Sequence, residues 1–273
     1  MTDAENQLAE RFLECFLPAA LQAGAVARRL QHGVRLEQKG GRTPESAALT
    51  AVDLATQDVL LLALHRAMPE VAVDAEEDTD SVTLFAPESS TRALVVIDPV
   101  DGTLNYARQS QDYAVMGALL LEDRFVATVV VFPAWGETYW AKKGDGCWLQ
   151  RGGGEPERVR IGDAPRVVLV PPGVSRSWRA ALADQGYEVR VSRCSAVDSS
   201  APATGRATAA VDRKRPDRRR ALPLLLTTEA GGTVLFGERV WYGCDPDLGG
   251  EPPCIAAGSA EEAERLAAAV RAA

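Results

Sequence analysis

The run Leu94-Val95-Val96-Ile97-Asp98-Pro99-Val100-Asp101-Gly102-Thr103-Leu104-Asn105-Tyr106 constrains this chain more than any other. Its apolar, β-branched start predicts a buried strand. That strand delivers two aspartates three residues apart at its exit, so the fold must end a core strand in a polar site. Pro99 stiffens the turn between the two acids. Gly102 lets the backbone approach a ligand, and the next N–H groups can point at an anion as a helix begins. One strand end thus offers cation ligands and a phosphate cradle side by side, as metal-assisted phosphate chemistry requires. An ordinary surface turn requires neither both acids nor the Gly-Thr-x-Asn that follows.

Composition removes the competing chemistries. Only two histidines exist, His32 and His65, both in helical-looking stretches, so HExxH and His-rich zinc sites are excluded by count. No GxSxG is present, which disfavours a Ser-His-Asp triad. The chemistry must rest on carboxylates. Five scattered cysteines (Cys15, Cys147, Cys194, Cys244, Cys254) without a CxxC read as reduced thiols. Thirty basic against 38 acidic residues leave a net charge of −8, which disfavours nucleic acid and anionic membranes as partners. No apolar run approaches the roughly 18–20 residues of a membrane span. The N-terminus MTDAENQLAERF carries acids where a signal peptide carries basic residues, so the expected location is cytoplasmic. At 273 residues, 46% hydrophobic and 25% charged, the chain suits one compact unit or two closely packed lobes.

Periodicity predicts a helix over 4–31, carrying Leu8, Phe12, Phe16, Ala19, Ala23, Val26 and Leu30 on one face and bent or broken at Pro18. The Gly-containing stretch Lys39–Pro44 reads as a loop. A second helix is predicted over 51–67 with Val52, Ala55, Val59 and Leu62 as its stripe. Strands are expected at 71–73 and 93–97, a hairpin at 116–132 turning at Glu122-Asp123-Arg124, and a third antiparallel strand at 137–141. The stretch 143–165 is rich in Gly, Pro and charge, and a lobe boundary is expected near Arg151–Pro156. This divides the chain into an α+β lobe, 1–150, carrying the acids, and an α/β lobe, 151–273. In the second lobe strands (167–170, 188–191, 234–236) alternate with helices (175–185, 195–204, 218–230, 260–272).

Two further acidic points stand near the central run. Glu76-Glu77 follows the strand at 71–73, and Asp53 sits at the start of the second helix. Alone, the first would be a solvated loop and the second an acid favoured by the helix dipole. Should Asp53, Glu76, Asp98 and Asp101 converge, each like-charge pair about 4 Å apart repels by about 4 kcal/mol at an effective dielectric of 20. Such a cluster demands divalent cations, and oxygen-only donors select Mg²⁺ or Mn²⁺.

Asp98-Pro99-Val100-Asp101-Gly102-Thr103-Leu104-Asn105-Tyr106 resembles the signature of the inositol monophosphatase family of Mg²⁺-dependent, Li⁺-sensitive phosphatases. The 23-residue interval from Asp53 to Glu76 matches the family's spacing, Lys143-Gly144-Asp145-Gly146-Cys147 is similar to its Lys-Gly-x-Gly-Ala turn, and Thr228–Gly232 to its Glu-Ala-Gly-Gly element. The resemblance implies a layered α/β/α/β/α fold, with an antiparallel-sheet lobe and a mixed α/β lobe, in a homodimer. It implies that Glu76, Asp98, Asp101 and the Val100 carbonyl hold metal and that Asp53 and Thr103 activate the attacking water. The amides of Gly102 and Thr103 would hold the phosphate of a small phosphorylated substrate.

The resemblance breaks at the family's second signature, a Trp-Asp pair whose Asp ligates metal ten residues before the late Glu. Counting back from Glu229 puts Arg218-Arg219 there. Asp217 can supply the missing ligand only if the helix starts differently, since two residues turn about 200° on a helix; Pro216 at its first position allows such a shift. In the kept register Arg219 itself points at the site and favours an anion. The surrounding run 212–220 holds six basic residues and reads as a solvated face, an anion-binding surface or a partner surface. Asp212 falls where the family accepts substrate hydroxyls, and Arg193 and Cys194 where it lines the sugar pocket. The expected activity is hydrolysis of a phosphate monoester of a small polyol, sugar or nucleotide; the alternative is a diverged, weakly active or inactive homologue that binds a phosphorylated ligand or partner.

Overall fold

The computed structural model describes residues 1–33, 35, 37–38, 48–244 and 251–273. The loop expected at Lys39–Pro44 lies outside them. Helix α1 (Asp3–Leu30) opens on a capping box between Thr2 and Glu5 and continues through Pro18 rather than breaking there. An interior proline costs about 3 kcal/mol; Phe12 and Phe16 before it and Ala19, Ala20 and Ala23 after it are all buried, which offsets that cost. Strands β1 (Glu37–Gln38) and β2 (Ala48–Leu49) pair briefly before α2 (Ala51–Ala67).

The first sheet takes β3 (Ala72–Ala75), β4 (Ala93–Asp101), β5 (Ala114–Leu121), β6 (Arg124–Phe132), β7 (Glu137–Lys142), β8 (Gly146–Arg151) and β9 (Glu157–Val159) in that spatial order. Only β3 and β4 run parallel. Helix α3 (Thr103–Ala107) follows β4 directly. The second sheet has the order β11-β10-β12-β15-β13-β14. Its elements are β10 (Val167–Leu169), α4 (Arg176–Asp184), β11 (Glu188–Arg190), α5 (Ser195–Thr204), β12 (Ala209–Asp212), α6 (Arg218–Ala221), α7 (Leu224–Glu229), β13 (Thr233–Phe236), β14 (Arg239–Val240), β15 (Cys254–Ala257) and α8 (Ala260–Arg271).

The layers are those expected, α/β/α/β/α. Helices α1 and α2 cover one face of the first sheet, α5 and α7 lie between the sheets, and α4 and α8 cover the outer face of the second. β4 is buried on both sides: Val95 and Ile97 pack under α1 and α2, Leu94 and Val96 face the central layer. Gly117 of β5 has no side chain because the Phe16 ring occupies the space a Cβ would need.

Several expectations are corrected. Val26, Leu30, Ala55, Val59 and Leu62 are exposed; of the expected α2 stripe Val52 is buried, together with Asp53, Thr56, Gln57, Leu60, Leu61 and Leu64. Its buried face mixes site polar groups with leucines, so apolar spacing alone selects the wrong stripe. The stretch Arg151–Pro156, where a lobe boundary is expected, joins β8 to β9, which pair across Gly152–Gly154. The Gly-rich composition there is turn chemistry of an edge hairpin. The single helix expected over 218–230 is two helices, interrupted at Leu222-Pro223, because proline removes an N–H and clashes with the preceding turn.

Candidate functional site

Asp98 and Asp101 are three residues apart, and a regular strand would send them to opposite faces. The β4–β5 register shifts between them, with three steps on β4 against two on β5, a bulge that re-aims the strand end. Both acids therefore line one cleft of about 450 Å³, shared with Glu76, Val100, Gly102, Thr103, Arg193, Cys194, Asp212, Asp217 and Arg219. Every residue singled out in the sequence lines this cleft except Asp53, which lies directly behind Thr103.

Asp53 is placed by its own helix start. One carboxylate oxygen accepts from the Thr50 amide at 2.9 Å and from the Thr50 hydroxyl, closing a capping box. The other accepts from the Thr103 hydroxyl at 3.0 Å, and Thr103 Oγ1 also lies 2.9 Å from the Val100 carbonyl. Burial pushes the Asp53 carboxyl up to about 6, against hydrogen bonds from Thr50 and Thr103 that pull it down. Gly102 takes φ +81°, and a Cβ there would come within 2.9 Å of the Asp112 carbonyl. This left-handed corner turns the chain from β4 into α3, whose first amides have no acceptor within the helix.

Asp98 is buried, and its Oδ1 has no hydrogen-bond partner. Burial holds its carboxyl well above the ordinary range, and the charges of Glu76 and Asp101 push the same way. Asp101 is turned toward the start of α5. It accepts from the Ser195 hydroxyl at 2.9 Å and the Ala196 amide at 2.6 Å, and the Cys194 Sγ lies 2.8 Å from its Oδ2. Burial raises its carboxyl, and those donors lower it. Burial and the facing Asp101 charge push the Cys194 thiol well up. Arg193, beside it, holds a left-handed φ of 62°.

Among the described residues, no three His, Cys, Asp or Glu side chains stand close enough to enclose an ion as they are. The donor set nevertheless fits a hard cation. It offers only carboxylates and a carbonyl, and it buries a carboxylate oxygen at Asp98 without a hydrogen-bond partner, which a cation would satisfy. Glu76, Asp98, Asp101 and the Val100 carbonyl are the groups that would hold Mg²⁺.

The basic run 212–220 is not one solvated face. Arg218 pairs with Glu88 at 2.9 Å, Arg219 with Asp74, and Arg220 with Asp212. Asp217 is the N-cap of α6, its Oδ1 accepting from the Arg220 amide at 3.0 Å, and its backbone is extended. The helical rotation expected to set Asp217 opposite Arg219 therefore does not apply, and both line the cleft. Pro216 lies outside the helix. Asp212 accepts from the Lys214 amide at 2.9 Å and from Arg220 while lining the cleft.

Three contributors escape the sequence reading. Gln57, one turn after Asp53 on α2, clamps the backbone of Glu77, its Nε2 donating to the Glu77 carbonyl at 2.6 Å and its Oε1 accepting from the Glu77 amide at 2.8 Å. Polar residues on a helix that opens with a site acid were the available signal. Asp74 anchors Arg219, and nothing in its local sequence marks it. Asp198 also lines the cleft, half-buried, accepting from the Ser192 hydroxyl at 2.6 Å, and desolvation pushes it up to about 7. The glycine turn and the late Glu also meet: Glu229 accepts from the Gly144 and Gly146 amides at 3.0 and 3.1 Å, tying the β7–β8 turn to the end of α7.

Known proteins share this chain's sequence pattern and fold. The Nus factor SuhB of Xylella fastidiosa is 28% identical over 195 residues, 67% of this chain and 66% of that protein. The 3'(2'),5'-bisphosphate nucleotidase CysQ of Salmonella typhimurium is 26% identical over 158 residues, 58% of this chain and 62% of that protein. The chain thus spans somewhat less than two thirds of the length of these two relatives. Among solved structures, the Thermotoga maritima IMPase superposes with a TM-score of 0.78 at 20% identity, covering 95% of this chain and 96% of that one, a likeness of fold. The sequence profile of the inositol monophosphatase family matches residues 8–273, nearly the whole chain, and the chain belongs to that family.

Proposed function

We propose that this protein is a metal-dependent phosphatase that hydrolyses a phosphate monoester of a small polyol, sugar or nucleotide. The observation that carries the reading is the pairing of an orphaned, buried carboxylate at Asp98 with the Thr103–Asp53 hydrogen bond one turn away. Family membership supports the reaction class, and the CysQ relative extends the substrate range to nucleotides.

Bound Mg²⁺ would supply charge neutralisation on the phosphoryl oxygens and a lowered pKa for water. The rest is the work of this chain. The Thr103 hydroxyl, donating to Asp53, leaves its lone pairs to orient a water, and the Asp53 carboxylate receives the proton passed through it. The amides at the start of α3 face the phosphate, with Gly102 allowing the close approach. Asp212, Arg193 and Cys194 line the side of the cleft where the leaving alcohol would sit. Asp217, an N-cap with a second oxygen, is proposed as a further metal ligand.

No helix among the described residues is long and apolar enough to cross a membrane. The reading places the protein in the cytosol as a homodimer, supported by five free cysteines and by the exposed Val59 and Leu62 on α2. Phosphate release measured over a panel of polyol, sugar and nucleotide phosphates, with Mg²⁺, with Mn²⁺ and with EDTA, tests the proposal. Turnover that requires the divalent ion supports it. Phosphate-ester binding without release under every condition overturns it.

A further inference from the structure

Arg219 lines the cleft that holds Asp98, and its setting is specific. Its Nη2 donates to the Asp74 carboxylate and to the Ala75 carbonyl at 2.9 Å, so the guanidinium is fixed at the end of β3. Its Nε is buried without a partner. It lines the same cleft as Glu76, Asp98 and Asp217. Two orphaned groups of opposite character thus share one cleft, an N–H donor on Arg219 and a carboxylate oxygen on Asp98. A guanidinium keeps its proton at any working pH, so this charge is permanent. Divalent ions bind a cluster of acids because the cluster lacks cations. A fixed cation among those acids lowers the number of ions the cluster can take, and it leaves the cleft attractive to an anion before any metal arrives.

We propose that Arg219 is a built-in cation of this cleft, standing in for one divalent ion and contacting the phosphoryl group of the substrate directly. Asp74 is its positioning residue, holding one end of the guanidinium through Nη2 while Nε keeps an unmet donor. This deepens the proposed phosphatase reading and rests on it.

The test uses the full chain stripped of metal. Mn²⁺ is titrated calorimetrically into the unmutated protein and into Arg219→Asp, Arg219→Gln and Asp98→Asn. Inorganic phosphate is titrated in EDTA into the same set and into Arg219→Lys. The expected result is that Arg219→Asp takes up one more Mn²⁺ per chain than the unmutated protein. Arg219→Gln loses phosphate affinity in EDTA by about tenfold or more, and Arg219→Lys retains most of it. Equal Mn²⁺ stoichiometry in the unmutated, Asp and Gln proteins, with phosphate affinity unmoved, overturns the proposal. Should the Gln or Asp variant fail to fold, phosphate binding by the unmutated chain in EDTA decides: measurable, salt-sensitive affinity supports a resident cation, and none overturns it. Asp98→Asn separates this from the wider reading. Mn²⁺ binding unaffected by Asp98→Asn sinks the metal site itself, whereas loss there with unmoved Arg219 variants sinks only the role of Arg219.

Discussion

The Thr103 hydroxyl donates to the Asp53 carboxylate across fifty residues of sequence, and the same Asp53 closes the cap of α2 with Thr50. One carboxylate therefore fixes a helix start with one oxygen and orients a reactive hydroxyl with the other. Thr103→Ala removes the hydroxyl without disturbing the cap. Its kcat should fall by roughly 10²-fold or more with a small change in KM, because the lost group orients the nucleophile. Steady-state kinetics check this, and an unchanged kcat with raised KM would move Thr103 to substrate binding.

The acid limb of the rate profile should report Asp53. Burial raises its carboxyl to about 6, so kcat/KM should drop as pH falls through that value and the base becomes protonated. Asp53→Asn should lower activity at every pH and abolish that limb. A limb that persists in the variant assigns the titration to another group.

Asp98 makes a prediction about stability as well as metal. Its carboxyl is raised in the folded state, so folding favours the protonated form, and the metal-free protein loses stability as pH rises. Asp98→Asn should raise the melting temperature of the metal-free protein above neutral pH while removing most of the stabilisation that Mg²⁺ provides. Scanning calorimetry with EDTA and with Mg²⁺ reads both effects. A variant that melts lower without metal, or is stabilised by Mg²⁺ as before, contradicts this.

Asp198 should behave similarly without touching metal affinity. Its folded value is about 7 against an ordinary carboxyl value near 4, so the native state binds the proton more tightly. Stability is then greatest below pH 4 for this group and is lost as pH rises toward 7. Asp198→Asn should recover on the order of 2–4 kcal/mol at pH 8, less whatever Ser192 and Arg220 contribute to the ionised form. Urea titrations at pH 5 and pH 8 measure it: the gain should be confined to the higher pH.

Gly117→Ala tests the seat of α1 on the first sheet. A methyl group there meets the Phe16 ring, and overpacking of this kind costs about 1–3 kcal/mol. Gly117→Ala combined with Phe16→Leu should recover part of the loss. Additive losses in the double variant would mean that the two residues do not share the space.

The acid run at the end of β4 was legible because its chemistry and its strand coincide in one stretch of sequence. The five-layer fold followed from resemblance at separated motifs. The rest was hidden for identifiable reasons. The α2 stripe was misplaced because its buried face carries Asp53, Thr56 and Gln57, which a reading of apolar spacing discounts. The composition around Arg151–Pro156 reads as a linker because an edge hairpin built on Gly152–Gly154 uses the same residues as one. The pairing of Arg218 and Arg219 is invisible in the sequence because Glu88 and Asp74 lie 130 and 145 residues earlier, and no local rule connects them. Asp217 was judged by helical rotation, but it stands just outside the helix, where that rotation has not begun.

Gln57 ties the Glu76-Glu77 loop to α2 by two backbone hydrogen bonds, four residues after Asp53 at the start of the same helix. The loop proposed to offer a metal ligand and the acid proposed to receive the proton are thereby passengers on one rod, seated by Leu60, Leu61 and Leu64. Evolution of this cleft cannot adjust the two independently through the packing of α2. Core substitutions under the helix will shift cation affinity and proton transfer in concert, and selection for one carries the other with it.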